Sequence, residues 1–404
     1  MSNPLFNKND FYSQDTSEVY LDSAATSRTP LCVLKKINEY YTLYRAPVHR
    51  GMYVSAVHAT NELELVREKV VSFIGAEKDE IIFTSGSTAA AQLLIATLEH
   101  NLELREADEV VVSEFDHHAT LVPLREVVKR KKLVLIVVSA NEKFIIDSKS
   151  ILDTITEKTK IVSLIHGSNV TGTILPIKEI IASIRAKNEN VFAIVDAAQT
   201  VGHMDVSFKN TDADALFFSG HKMCGPTGVG VLAMKKKYID AYIPPYGGGS
   251  AVLAVSHTQT IFAQGYKKFE AGTPAIAGIL GLGKAIEYVD QYATDAIHKY
   301  VQFIYTYACE ELKKVPFVKM YGAPVEQNCG VLSIVIDGVH PHDVAHILAE
   351  KNVAIRAGYQ CAELIARKIN EQGVVRVSVY GYTTKEDIDA LVNALQSVQK
   401  IFSL

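Results

Sequence analysis

A lysine that follows an apolar run is the first candidate for chemistry in this sequence. Residues 219–230 read SGHKMCGPTGVG and come directly after ADALFF, so we expect Lys222 at the end of a buried strand. Desolvation lowers the pKa of a lysine and makes it an amine nucleophile, the usual way to form a Schiff base with an aldehyde cofactor. The alternative is a solvated loop lysine, and the residues elsewhere in the chain decide between the two.

Further groups in the sequence match what pyridoxal phosphate requires of a protein. Asp196 ends the run VFAIVD and can hold the proton of the pyridinium nitrogen, while Gln199 can reach the phenolic oxygen. His117 can stack on the ring. Ser87 and Thr88 precede a helical pattern, and a helix N-terminus suits a phosphate. Each could separately be a turn, cap or core-edge residue, but together they predict a pyridoxal phosphate site.

The elements that must position these residues are short apolar runs alternating with helix-period segments. Between residues 80 and 235 the runs are EIIFT, EVVVS, KLVLIVV, KIVSLIH, VFAIVD, ALFFS and GVGVLAM. Runs apolar on both faces, separated by helices such as 119–131 and 176–188, predict a mostly parallel sheet covered on both sides, an α/β three-layer sandwich. Ligands of such sheets lie at the carboxyl ends of the strands. Five strand ends should therefore converge on one polar site.

The length of 404 residues favours two domains, and 48% hydrophobic residues are ample for two cores. We predict an N-terminal arm over 1–17, a large cofactor-binding domain over 18–290 and a smaller C-terminal α+β domain over 291–404. Near this boundary the pattern is continuously helical over 275–314. Beyond it come the strands GVLSIVID, VAIRA and VVRVSVY, with helices at 341–351, after Cys361 and at 384–402.

Composition and charge exclude several classes of protein. The net charge of −4 gives no basic surface, so we predict no nucleic-acid partner and a small acidic or zwitterionic substrate. The polar N-terminus lacks a signal-peptide core, and no stretch approaches the roughly 18–20 apolar residues that cross a bilayer, so we predict a cytoplasmic protein without membrane contact.

The cysteines and one histidine cluster are the candidates for disulfide or metal sites in the sequence. Five scattered cysteines without a C-x-x-C pair argue against a disulfide framework or a structural zinc site, so a functional cysteine would act as a reduced thiol. His340, His342 and His346 resemble metal-ligand spacing, but Pro341 marks a helix start and we interpret them as surface residues. No metal is predicted.

The sequence resembles the group II, Suf-type cysteine desulfurases and their selenocysteine lyase relatives, which are fold-type I pyridoxal-phosphate enzymes similar to class V aminotransferases. The resemblance extends nearly from end to end. It rests on the segments YLDSAATSRTP, PVHRGMY, EIIFTSGSTAA, FDHHATLVPL, HGSNVTGT, VDAAQT, FFSGHKMCGPTGVGVL, FEAGTPA, IRAGYQCAEL and VVRVSVYGYTTKEDIDALV. The lysine segment and FEAGTP are the most specific of these.

The resemblance implies a role for each matching residue. Lys222 would join covalently to the cofactor, His117 would stack on it, and Asp196 and Gln199 would contact its ring nitrogen and phenolic oxygen. The other implied cofactor contacts are Ser87, Thr88, Ser219, His221 and Asn169, with Thr273 donated by the second subunit of a homodimer. The implied substrate-binding residues are Arg376 and Asn169, which would clamp the carboxylate, together with Arg356, His49 and Arg50.

Cys361 is the residue through which the resemblance implies a particular reaction. In the family a cysteine at this position takes sulfur from L-cysteine as a persulfide, leaving L-alanine, and passes the sulfur to an acceptor protein of the Suf or Csd type for iron–sulfur cluster assembly. A helix N-terminus and a nearby cation would favour the Cys361 thiolate. A buried apolar role is its alternative, but Gly358 and polar neighbours indicate a loop. Cys224, two residues from Lys222, we interpret as packing.

Two other functions stay open at this point. One is a selenocysteine lyase, acting on L-selenocysteine, or another pyridoxal-phosphate-dependent β-eliminating lyase. The other is a non-catalytic scaffold that binds a sulfur acceptor, against which the full set of Lys222, Asp196, His117 and Arg376 argues.

The sequence departs from the family pattern at three places. Tyr359 and Gln360 stand where one or two histidines usually precede the catalytic cysteine, Ser87 replaces a common threonine and Ala197 a common glycine. The histidine replacements remove acid–base groups near Cys361. We therefore expect them to alter the efficiency or the acceptor preference of sulfur transfer.

Overall fold

The computed structural model describes residues 4–11 and 18–403, and within them the chain forms thirteen α-helices. These are α1 (Leu31–Leu43), α2 (Val54–Ile74), α3 (Ser87–Asn101), α4 (His118–Lys131), α5 (Ser148–Thr154), α6 (Ile177–Lys187), α7 (Phe208–Thr211), α8 (Lys236–Ala241), α9 (Ile276–Asp290), α10 (Thr294–Leu312), α11 (Pro341–Ala349), α12 (Glu363–Ile369) and α13 (Lys385–Phe402). Within those two ranges, no helix has both the length and the apolar character needed to span a bilayer.

The same described residues contain fifteen strands in four sheets. The strands are β1 (Val19–Tyr20), β2 (Ile81–Thr84), β3 (Glu109–Ser113), β4 (Val134–Val138), β5 (Thr159–Ile165), β6 (Phe192–Asp196), β7 (Ala215–Ser219), β8 (Gly230–Met234), β9 (Val252–Val255), β10 (Thr260–Phe262), β11 (Val318–Tyr321), β12 (Val331–Ile336), β13 (Val353–Ala354), β14 (Arg356–Gly358) and β15 (Val374–Ser378).

The central sheet has seven strands in the order β2-β8-β7-β6-β5-β3-β4. Each of the seven predicted runs forms one of these strands. Strand β8 runs antiparallel to both of its neighbours, β2 and β7, and all other neighbouring strands are parallel. The predicted mostly parallel sheet is confirmed.

Both faces of this sheet are covered, because successive side chains of its strands enter different cores. Val111 belongs to a core that includes residues of α2, α6 and α9, whereas Val110 and Val112 belong to another that includes residues of α3 and α4. The runs are apolar at consecutive positions for this reason. The predicted three-layer α/β sandwich is therefore confirmed.

A second, antiparallel sheet forms from the C-terminal part of the chain, in the order β11-β12-β15-β14. Helices α10, α11 and α13 share one core with it. The described part of the predicted N-terminal arm enters the same core, where Phe6 contacts the rings of Tyr288 and Tyr380. Residues 1–3 and 12–17 of that arm lie outside the described residues. The domain boundary near residue 290 stays a prediction.

Two local predictions were wrong. The continuous helix over 275–314 is two helices, because α9 ends at Asp290 and Ala293, immediately before α10, has a φ of 57° that no right-handed helix contains. The run VAIRA is two short strands, since β13 pairs with β1 and β14 pairs with β15 on either side of Ile355. In the second case, partners distant in the sequence determine where each strand ends.

Candidate active site

A cavity of about 910 Å³ opens where the parallel strands end and the second sheet faces them. The predicted site residues that line it are Ser87, Thr88, His117, Asn169, Ser219, His221, Lys222, Arg356, Cys361 and Arg376. The first seven lie at or just after the ends of strands of the central sheet. Arg356 lies in β14, Cys361 in the loop after β14 and Arg376 in β15. Residues more than 270 positions apart in the sequence therefore line the same cavity.

Lys222 lies in a 3₁₀ turn that follows β7, and its side chain is half-buried. Burial lowers the pKa of its amine to about 8, although the charge of Asp196 acts in the opposite direction. The turn is fixed from two sides. The backbone N–H of Ser27 donates to His221 O at 2.8 Å, and Nε2 of the buried His203 lies 3.1 Å from Lys222 O, to which it donates.

Asp196 and Gln199 lie directly behind this cavity and do not line it. Asp196 Oδ1 accepts a hydrogen bond from Ala198 N at 2.9 Å, and burial raises the pKa of its carboxyl group while Lys222 lowers it. Gln199 Nε2 donates to Ala24 O at 2.8 Å, which fixes the plane of its amide. A buried carboxylate and an oriented amide therefore support the floor of the cavity.

His117 is the N-cap of α4, and this role determines its protonation. Its Nδ1 accepts a hydrogen bond from Ala119 N at 3.0 Å, so the neutral ring carries its proton on Nε2. Burial, reinforced by the charge of Lys222, lowers the pKa of His117 to about 3. The ring is a flat, neutral surface on the cavity wall.

The N-terminus of α3 forms the polar end of the cavity. Its N-cap is Gly86, which has no side chain to cap the helix. Ser87 N donates to Ser219 Oγ at 2.7 Å, and Ser219 Oγ donates to Ser87 Oγ at 2.9 Å, which ties α3 to the end of β7. The partial positive charge of a helix N-terminus and these hydroxyls are what an anionic phosphate requires.

Arg376 is a buried cation held by two acceptors. Its Nη2 donates to Asp22 Oδ1 at 2.7 Å and its Nη1 to Asn169 O at 3.2 Å. Its Nε and the Oδ1 of Asn169 are buried without a partner among the described residues. Asp22 Oδ2 also accepts from Arg356 Nε at 3.1 Å. Because Arg376 and Arg356 both line the cavity, a carboxylate entering it would meet two cations.

Asp22 is a contributor that sequence reasoning missed. It lies within YLDSAATSRTP, but its partner Arg376 is 354 positions away and no local spacing relates the two. The only signal in the sequence was that Asp22 lies in one of the segments that carry the family resemblance.

Cys361 lies in the loop between β14 and α12 and is exposed to solvent, as the prediction of a loop required. Both Gln360 and Cys361 have a φ of 55°. Tyr359, at one of the positions of the replaced histidines, also lines the cavity, and its hydroxyl donates to the carbonyl oxygen of Glu371 at 3.0 Å. Gln360, at the other, is buried. Cys224 is fully buried, which agrees with a packing role.

Besides Asp196 and Gln199, three further predicted residues do not line this cavity. His49, Arg50 and Thr273 are exposed on the surface of the chain. Their roles in the site stay predictions.

The residues present fit pyridoxal phosphate. The uncapped N-terminus of α3 suits its phosphate, the desolvated amine of Lys222 its aldehyde and the buried carboxyl group of Asp196 its ring nitrogen. The neutral ring of His117 provides a surface for stacking.

Comparison with known proteins agrees with this geometry. The family model of class-V aminotransferases matches residues 19–391. A protein of Staphylococcus aureus strain Mu50 named "Probable cysteine desulfurase" is 42% identical over 385 residues, which cover 95% of this chain and 92% of that protein.

Two solved structures are also similar. The apo structure of cysteine desulfurase from Thermococcus onnurineus NA1 has a TM-score of 0.91 and 33% identity, covering 95% of both chains. The cysteine desulfurase CsdA (S-sulfonic acid) from Escherichia coli has a TM-score of 0.90 and 31% identity, covering 98% of this chain and 99% of that one.

The chain belongs to the class-V aminotransferase family. Its full-length relatives are named cysteine desulfurases, and the resemblance stated from the sequence motifs is confirmed.

Proposed function

We propose that this protein is a pyridoxal-phosphate-dependent cysteine desulfurase that converts L-cysteine to L-alanine and keeps the sulfur as a persulfide on Cys361. The observation that carries the proposal is the meeting of three groups on one cavity. These are a lysine with a lowered pKa, a buried arginine with an unused donor, and an exposed cysteine. Relatives over 95% of the chain bear the same activity in their names.

Each residue has a definite task. When bound, pyridoxal phosphate supplies an aldehyde that joins to amines and a ring that withdraws electrons from the substrate Cα. Arg376, with Asn169, binds the substrate carboxylate and so orients the Cα–H bond. Because the pKa of Lys222 is about 8, part of its amine is neutral near neutral pH and can remove the α-proton at Nζ.

Sulfur transfer then depends on Cys361. Its thiolate forms an S–S bond with the substrate sulfur as the substrate Cβ–S bond breaks. One L-cysteine and one enzyme thiol give one L-alanine and one enzyme persulfide, so atoms and electrons balance without an external oxidant. The exposure of Cys361 also leaves its sulfur accessible to a second protein.

The acceptor and the assembly state are further parts of the proposal. We propose that an acceptor protein of the Suf or Csd type receives the sulfur for iron–sulfur cluster assembly, in the cytoplasm. We also propose a homodimer in which Thr273 reaches the cofactor site of the partner subunit. The exposure of Thr273, His49 and Arg50 away from their own cavity supports this arrangement.

The test is to incubate the cofactor-loaded protein with L-cysteine and measure its intact mass. We expect one added sulfur, about 32 Da, and peptide mapping should locate it on Cys361. Cys361→Ser should lose the addition, whereas Cys32→Ser, which removes a half-buried thiol outside the cavity, should retain it.

The same variants separate the desulfurase from a β-eliminating or selenocysteine-specific lyase. If Cys361→Ser releases alanine from L-cysteine at the wild-type rate, this thiol does not take the sulfur and the proposal fails.

A further inference from the structure

The loop that carries Cys361 has an unfavourable backbone conformation. Gln360 and Cys361 both have a φ of 55°, in the left-handed region that residues other than glycine rarely occupy, and they are consecutive. Such conformations persist only where the surrounding structure holds them. The loop therefore needs contacts that outweigh its preference for other conformations.

Those contacts come from the rim of the central sheet and hold the loop at three successive places. Asn169 Nδ2 donates to Gln360 O at 2.6 Å, and His118 N donates to Cys361 O at 2.8 Å. Glu363 N, at the start of α12, then donates to Nε2 of His118 at 3.3 Å. His118 alone thus makes two of the three bonds, one through its backbone and one through its ring.

The ring of His118 also replaces a missing helix cap. The N-cap residue of α12 is Ala362, whose side chain cannot accept a hydrogen bond. The first N–H of the helix would otherwise lack an acceptor in the protein, and Nε2 of His118 supplies one from the other side of the cavity. The loop and α12 are therefore anchored to the same end of α4 that presents His117 to the cavity.

We propose that His118 is a positioning residue that holds Cys361 over the cavity through the acceptor Nε2 of its ring. The proposal rests on the proposed function, because it explains why Cys361, the residue that would take the sulfur, is held in a fixed position. The proposal requires a hydrogen-bond acceptor atom in the side chain at position 118. An aromatic ring without such an atom would not be sufficient. Loss of the acceptor should release the loop and slow attack by the thiolate, while substrate binding at Arg376 continues.

The test compares His118→Gln, which retains an acceptor at a similar reach, with His118→Phe and His118→Ala, which do not. In the cofactor-loaded protein without substrate, hydrogen exchange of the peptide 359–366 should accelerate roughly threefold to tenfold in the Phe and Ala variants. This is the factor expected when the net stabilisation by one hydrogen bond is lost. With L-cysteine, their persulfide formation should slow by about tenfold or more. His118→Gln should stay close to wild type in both measurements.

Two controls separate loop positioning from general damage. The change in cofactor absorbance on adding L-alanine reports substrate binding and should have an unchanged midpoint in all variants. The exposed His100→Ala should match wild type throughout. If one variant fails to fold, the remaining non-acceptor variant carries the comparison with His118→Gln.

Two results would overturn the inference. One is wild-type exchange and persulfide formation in the Phe and Ala variants, and the other is an equal defect in His118→Gln. Because the exchange experiment contains no L-cysteine, either result can occur while wild-type protein still gains sulfur on Cys361, so failure here is distinct from failure of the proposed function.

Discussion

The amine of Lys222 is the group in the site whose protonation matters most for the chemistry. Its charged form is desolvated beside Arg376, which lowers its pKa to about 8, whereas an exposed lysine titrates near roughly 10.4. In the cofactor-free protein, acetylation of Lys222 should therefore reach half of its maximal rate near pH 8. Peptide mapping of pulse-acetylated protein measures this, with the exposed Lys314 as internal control.

A midpoint for Lys222 at the roughly 10.4 of a model-peptide lysine would mean that the amine is solvated. It would then be unsuited to the role of proton acceptor near neutral pH.

Asp22 is the counter-charge of a buried arginine, and its removal should destabilise the protein. Asp22→Asn keeps the shape but leaves the guanidinium of Arg376, which is 2% exposed, with a neutral partner. Breaking a buried pair from one side costs about 3 kcal/mol in the free energy of unfolding. Urea unfolding measures the loss.

The matched control for this change is Asp337→Asn, which removes one member of the exposed pair Lys319–Asp337. It should leave the free energy of unfolding unchanged. If both variants lose the same stability, the contact of Asp22 with Arg376 is not the cause.

Among the elements, the turn between β2 and α3 fits tightly against β8. A Cβ on Gly230 would lie 2.6 Å from Gly86 Cα, closer than real atoms approach. Gly230→Ala should therefore displace the N-terminus of α3 and weaken pyridoxal phosphate binding by roughly tenfold or more, because overpacking moves backbone. Titration of the cofactor-free protein by absorbance measures the dissociation constant.

Gly249→Ala serves as the control, since a Cβ there would meet no atom within 4 Å. Equal affinity in the two variants would show that the close approach of β8 does not shape the phosphate end of the cavity.

The elements also show what the sequence could predict. The runs that became β2 to β8 could be recognised because each strand is apolar on both faces, a property of the strand itself. The division at Ile355 could not, because it depends on pairing with distant strands, and the break at Ala293 could not, because no glycine or proline marks it in the sequence. The hairpin of β9 and β10 was also missed, and its β9 is largely exposed and so lacks the buried alternation that marks a strand.

At the scale of the whole molecule, two sheets contribute residues to the site. For this reason, part of the site could not be predicted from the sequence. Lys222, His117 and Ser87 follow strands of one sheet, so their order along the chain already indicated a common edge. Arg376 belongs to the second sheet and Cys361 to the loop that follows its strand β14, and only the family resemblance assigned them to the site. The contacts made by Asp22 and His118 join residues 354 and 245 positions apart, which no spacing rule relates.

Buried neutral histidines should make the whole fold sensitive to acid. Burial lowers the pKa of His166 and of His203 to about 4, below the usual 6.5. As the pH falls from about 6.5 toward 4 the unfolded chain binds protons that the folded protein does not, so stability is lost in this window. In this window the free energy of unfolding falls by about 1.4 kcal/mol per pH unit for each such group. Urea unfolding between pH 7.5 and pH 5 measures it.

His203→Gln should reduce this dependence on pH, and the exposed His257→Gln should leave it as in wild type. An unaltered slope in His203→Gln would contradict the assignment of His203 as a buried neutral group.

The central claim is that pyridoxal phosphate joins to the amine of Lys222. The most direct test is to reduce the cofactor-loaded protein with borohydride, digest it and map the pyridoxyl group by mass spectrometry. We expect the group on Lys222, and we expect Lys222→Ala to lose both the modification and the absorbance at ~420 nm. A pyridoxyl group on another lysine, or on none, would contradict it.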